Sequence, residues 1–100
     1  MATLTKALFR GAAATTSTTL YTVPSATTTV VTNIVVTNTA GTAGTFSLLL
    51  DDVSIATTVT VGAYDSTIID MKQVLATTKT IKGLASATTI NFHISGVEIA

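Results

Sequence analysis

Residues 27–52, TTTVVTNIVVTNTAGTAGTFSLLLDD, hold two alternating apolar runs on either side of a stretch of small residues. Because successive side chains on a strand point to opposite faces, the first run puts Val30, Ile34 and Val36 on one face and Val31 and Val35 on the other. Thr32, Asn33 and Thr37 fall between them, and both faces stay largely apolar, which predicts a strand in the middle of a sheet. In the second run Phe46, Leu48 and Leu50 alternate with Thr45, Ser47 and Asp51, while Leu49 interrupts the polar side; this is the pattern of a half-buried strand. The seven residues between the runs, Asn38 to Gly44, include two glycines able to take positive φ. A hairpin-type loop is predicted there, with the two strands paired antiparallel.

The rest of the chain favours the same kind of structure. Thr supplies 24 of the 100 residues, and with Val and Ile it stiffens χ1 in a way that suits pleated strands and disfavours helices. A chain of this length buries about 65% of its extended surface, enough for one core and one domain. Only 10% of residues are charged, five basic and five acidic, against 47% apolar. So little charge gives weak repulsion between copies, and the composition predicts self-association or docking on a larger surface. A neutral chain has no basic stripe for nucleic acid. Every apolar run is interrupted well short of the roughly 18 residues of a membrane helix, and residues 1–6 lack the pattern of a secretory leader. The absence of cysteine excludes disulfides and thiolate metal sites.

Taken in order, residues 3–10 alternate weakly, with Thr3, Thr5, Ala7 and Phe9 opposed to Leu4, Lys6, Leu8 and Arg10. They read as an edge strand or as an arm laid on a neighbouring subunit. Residues 11–19, GAAATTSTT, have no large apolar residue and predict a loop. This divides the chain into an N-terminal arm and first edge strand, residues 1–19, and a β-sandwich domain, residues 20–100. Leu20 to Val23 is a short strand stopped by Pro24, which cannot donate to a ladder. Asp51-Asp52 predicts a turn, residues 53–56 and 58–61 two short strands bent near Thr57, and residues 62–65 another turn. Residues 67–75 fit helical spacing through Ile68, Met71 and Leu75, but their Thr-rich flanks favour a strand. Thr80 to Lys82 is extended, and Gly83 to Ser86 reads as a connector. In the last strand, residues 88–99, Ile90, Phe92 and Ile94 face in and Asn91, His93 and Ser95 face out; Gly96 then predicts a bulge that shifts Val97 and Ile99 to the inner parity.

Seven or eight short strands with regular turn signals predict an all-β fold, a single antiparallel β-sandwich of jelly-roll or immunoglobulin-like topology. Its predicted core is Leu20, Ile34, Val36, Phe46, Leu48, Leu50, Ile90, Phe92 and Ile94.

Catalysis by a nucleophile needs a base to activate it, and His93, the chain's only histidine, falls on the outward parity of a strand among Asn91 and Ser95. Asp51 and Asp52 lack the spacing of a calcium loop, and no phosphate-cradling or zinc motif occurs. Asp65, Asp70, Lys72, Lys79 and Lys82 are scattered, as charges that keep strand edges soluble would be. The expectation is a non-enzymatic protein with no catalytic residues, no cofactor and no metal.

From Thr18 onward the chain resembles small all-β virion proteins of tailed bacteriophages. The resemblance rests on TTLYTVPSATTTVVTNIVVTNTAGTAGTFSLLL, with its LYTVP strand, and on the closing NFHISGVEI. It implies a capsid decoration or cement protein, docked on the phage head as a homotrimer and bound to the major capsid protein or another virion protein. The alternative it implies is a tail- or fibre-associated module that binds a host receptor or polysaccharide. No nucleic acid or membrane enters either expectation. An arm of residues 3–19 would add a strand to a neighbour's sheet edge, with Leu4, Leu8 and Phe9 as its docking residues.

Overall fold

β-Branched residues leave this chain little alternative to extended backbone, and the computed structural model, which describes residues 3–100, consists of strands and short turns. The eight strands are β1 (Thr3–Ala12), β2 (Thr18–Thr22), β3 (Thr28–Asn38), β4 (Gly44–Leu50), β5 (Val53–Val61), β6 (Ser66–Leu75), β7 (Thr80–Ala85) and β8 (Ile90–Ile99). They form two antiparallel four-stranded sheets, in the orders β1-β8-β3-β6 and β2-β7-β4-β5. β1 pairs with β8, β2 with β7, β3 with β6 and β4 with β5, so each pair nests inside the one before it. That nesting is a long hairpin, closed at Asp51-Asp52 and folded across itself, and it makes the sandwich a jelly roll rather than an immunoglobulin-like domain. The strand reading of residues 67–75 holds: they lie in β6.

The predicted β3–β4 hairpin does not form. β3 lies between β8 and β6 in one sheet, β4 between β7 and β5 in the other, and residues 39–43 carry the chain from sheet to sheet. β4 alternates as predicted, and β3 does so from Ile34 onward, but Val31 rather than Val30 shares their buried face; alternation in any case identifies a buried face and says nothing about which strand lies alongside. Nor do the glycines of this connection take positive φ. Gly44 is needed for closeness instead, since a Cβ there would sit 2.7 Å from Ile90 Cδ1.

The tight hairpin comes one strand later. Leu50 pairs with Val53, and Asp51 and Asp52 between them take φ of 54° and 60°, the two left-handed residues of a type I′ turn. The bend predicted near Thr57 falls at Thr58, whose φ is 49°, and the β4–β5 register shifts beside it.

Gly83 to Ala85 belong to β7 rather than to a connector. Gly83 points inward, and a Cβ on it would come within 3.0–3.1 Å of Leu20, Leu48 and Phe92, so the missing side chain makes room for the core. Likewise β1 runs on to Ala12, and the loop expected over residues 11–19 is confined to residues 13–17.

β8 keeps one parity throughout: Ile90, Phe92, Ile94, Gly96 and Glu98 are all buried, so Val97 and Ile99 lie on the outer face, not the inner one. The irregularities are in its neighbours. Leu8 is the extra residue in β1, opposite Ser95 and Ile94, and Thr32 the extra residue in β3, opposite Gly96 and Ser95. The Thr32 step moves the inward position from Val30 to Val31, which is fully buried. Gly96 allows this close passage, because a Cβ on it would lie 2.5 Å from the Val30 carbonyl oxygen.

All the predicted core residues but one are buried; Leu20 packs against the core half-covered. At the centre Phe46 and Phe92, one from each sheet, meet edge to face with centroids 6.2 Å apart and planes at 74°. Leu8, Tyr21, Val23, Val61, Leu75 and Ile81 complete the core from strands whose short or mixed patterns conceal them.

Candidate interaction surface

The outer face of the β1-β8-β3-β6 sheet follows directly from its register. Val74, Val30 and Val97 are neighbours across β6, β3 and β8, and Ile68, Val35 and His93 form a second row. Between the two rows run Asp70, Asn33 and Ser95. Val74 and Ile68 are 67% and 65% exposed, values that leave most of each side chain in water. The face is thus a wide surface of valine, isoleucine and small polar groups with few charges: Arg10 lies beside His93 on β1, and Asp70 and Lys72 lie on β6. A shallow depression lined by Thr32, Asp70, Met71 and Lys72 marks the step between β3 and β6.

At one end of the sandwich a buried polar cluster ties the two sheets together. The Tyr21 hydroxyl, from β2, donates to Glu98 Oε2 on β8, and Thr29 Oγ1 on β3 lies 2.8 Å from the same hydroxyl, placed to donate to it. Lys6 Nζ on β1 is 3.4 Å from both oxygens of Glu98. Burial pushes the Tyr21 hydroxyl up to about 12, and its hydrogen bond to Glu98 acts in the same direction. The cluster leaves its buried polar atoms partnered, which makes it a structural clamp rather than an open site. The sequence reading passed over it. Its signal was the spacing of Ile94, Gly96 and Glu98, concealed by taking Gly96 for a change of parity.

The opposite end carries the loops of residues 39–43 and 62–65. Asn38 organises them: its side-chain amide donates to the carbonyls of Thr42, Val61 and Gly62, and its Oδ1 accepts from the Ala40 amide. The Tyr64 amide donates to the Ala40 carbonyl at 3.0 Å, and the Tyr64 ring lies over Gly41, 77% exposed.

Of the residues expected to dock an arm on a neighbour, Leu8 is buried in this chain's own core and Phe9 packs against that core. Leu4 is 58% exposed near the free end of β1. Of the two readings of residues 3–10, the structure has the edge strand, paired with β8 from Thr3 to Ala12. His93 is exposed on the outer face as its parity predicts. Asp51 and Asp52 occupy the turn and pair with Lys79 at 3.6 Å and Lys82 at 2.7 Å, so these lysines serve that turn and not a sheet edge. Among the described residues no three histidine or acidic side chains gather as metal ligands would. No protein-family model and no curated protein matches the chain.

Proposed function

We propose that this chain is a structural virion protein of the tailed-bacteriophage type, a capsid decoration or cement protein that docks on the head through the outer face of the β1-β8-β3-β6 sheet. The observation that carries the reading is that face, where the Val74-Val30-Val97 row and the Ile68-Val35 pair stand partly in water. Large apolar side chains exposed on one flat face with few charges are what an interaction site presents. A shell subunit gives it a large flat counterpart, and the sequence resemblance over residues 18–50 and 91–99 points to the same setting. Host-surface binding by a tail module is the second reading. Tyr64 favours it, as an exposed aromatic ring on paired loops at the end of the sandwich, suited to stacking on a sugar.

Counting copies of the chain in purified particles separates the two. The cement reading expects hundreds per particle and a loss of head binding in Val30→Asp or Val97→Asp; a handful of copies with binding lost in Tyr64→Ala would overturn it in favour of the tail.

A further inference from the structure

β6 is an open edge. It pairs with β3 on one side only, and along it Ile68, Asp70, Lys72 and Val74 alternate outward while Ile69, Met71 and Leu75 alternate toward the core. Unpaired edges of this length invite pairing unless something blocks them. The charges on this one are placed to select a partner rather than to repel one.

We propose that β6 pairs antiparallel with β6 of a second copy of this chain, about a two-fold axis at Met71. Under that rotation the outward residues of Ile68 to Val74, IIDMKQV, are complementary to one another, while on the other face Ile69 falls opposite the partner's Gln73. Asp70 falls opposite the partner's Lys72, and Lys72 opposite the partner's Asp70. Three positions either side of Met71, Ile68 falls opposite the partner's Val74 and Val74 opposite the partner's Ile68. Every one of these pairs joins residues of the same face, as antiparallel pairing requires.

Neighbouring registers fail on named grounds. Centring on Asp70 sets two aspartates face to face, and centring on Lys72 does the same with two lysines. A shift by one residue sets outward side chains against inward ones. β5, one of the two edge strands of the other sheet, offers no such code: it carries no charge, and its backbone is broken at Thr58 by positive φ.

The two-fold interface is isologous, so one substitution changes it twice. It joins the sheets of the two copies and brings the Val97-Val30-Val74 row of each into line with the Ile68-Val35 row of the other. The inference does not depend on the docking reading, because it is tested without a particle. It replaces the homotrimer that the family resemblance implies with a dimer.

Sedimentation equilibrium of the purified chain tests it. The wild-type chain sediments at twice the monomer mass. Lys72→Asp sets aspartate against aspartate at two symmetric places and weakens association about ten-fold or more. The double substitution Asp70→Lys with Lys72→Asp exchanges the charges, restores opposite signs across the axis and recovers the dimer. All three chains keep the wild-type melting profile when monomeric, since both side chains are exposed. A wild-type chain that stays monomeric, as it would if the step at Met71 and Lys72 turned the edge away, overturns the proposal. So does a trimer, a dimer indifferent to Lys72→Asp, or a double variant that fails to re-form it.

Discussion

Phe46 and Phe92 are the residues on which the two sheets most depend, because each is fully buried and each packs against the other across the sandwich. Truncating either to alanine lowers stability by about 3–5 kcal/mol, a large share of what a domain of this size possesses. A double-mutant cycle in urea recovers about 1 kcal/mol of coupling between the rings. A variant melting within a degree or two of the parent would contradict this packing. Tyr21 makes a different demand. Its hydroxyl ionises near pH 10 in the unfolded chain and near pH 12 in the folded one, so in that interval the folded state holds the extra proton. Stability from this group is complete below pH 10 and falls as pH rises toward 12, by on the order of 2 kcal/mol. Urea midpoints at pH 9 and pH 11.5 measure it: Tyr21→Phe starts less stable, because Glu98 and Thr29 lose their partner, but its midpoint declines less across that range. An equal decline would exclude Tyr21 as the source. The aromatic pair was legible in the sequence because both rings sit within long alternating runs. Tyr21 was not, since a five-residue strand ending near a proline gives too short a pattern to separate inward from outward.

At the scale of elements, glycines account for two of the differences between the pattern and the fold. Gly83 looked like a break in β7 and Gly96 like a bulge in β8, whereas each continues its strand and vacates space for a neighbour. Periodicity records which side chains are large. It cannot tell a glycine that bends a strand from one that admits another strand's side chain or backbone. The distinction is measurable at Gly96. Gly→Ala substitutions that fit gain about 0.4–1 kcal/mol by restricting the unfolded chain, but the Val30 carbonyl at 2.5 Å is main chain and cannot rotate away. The clash therefore outweighs the gain, and Gly96→Ala destabilises by about 3 kcal/mol in chemical denaturation. A neutral or stabilised Gly96→Ala variant would show that β1 and β3 have room to yield. The β3 bulge at Thr32 was equally hidden: the residues around it are β-branched or small, and Val30 and Val31 are identical in type, so only the register with β8 reveals which one turns inward.

For the molecule as a whole, the sandwich class was legible and the jelly roll was not. Class follows from strand number, turn spacing and β-branched content, all of them local. Topology depends on which strands meet, and here the nested partners lie progressively farther apart in the chain: Leu50 and Val53 are 3 positions apart, Thr37 and Ser66 are 29, Thr22 and Thr80 are 58, and Ala12 and Asn91 are 79. The candidate surface was half legible for the same reason: the outward residues of each strand could be named, but the rows they form across β6, β3 and β8 could not. This nesting also imposes a timetable on synthesis. The two-residue turn at Asp51-Asp52 closes the shortest loop and is the first pairing these eight strands can make as they are synthesised, whereas β1, the earliest of the eight to leave the ribosome, has no partner until β8, the last of them, has emerged. Leu8 and Phe9, which the finished fold covers, therefore spend the whole of that interval exposed, and of the eight strands β1 must be protected longest.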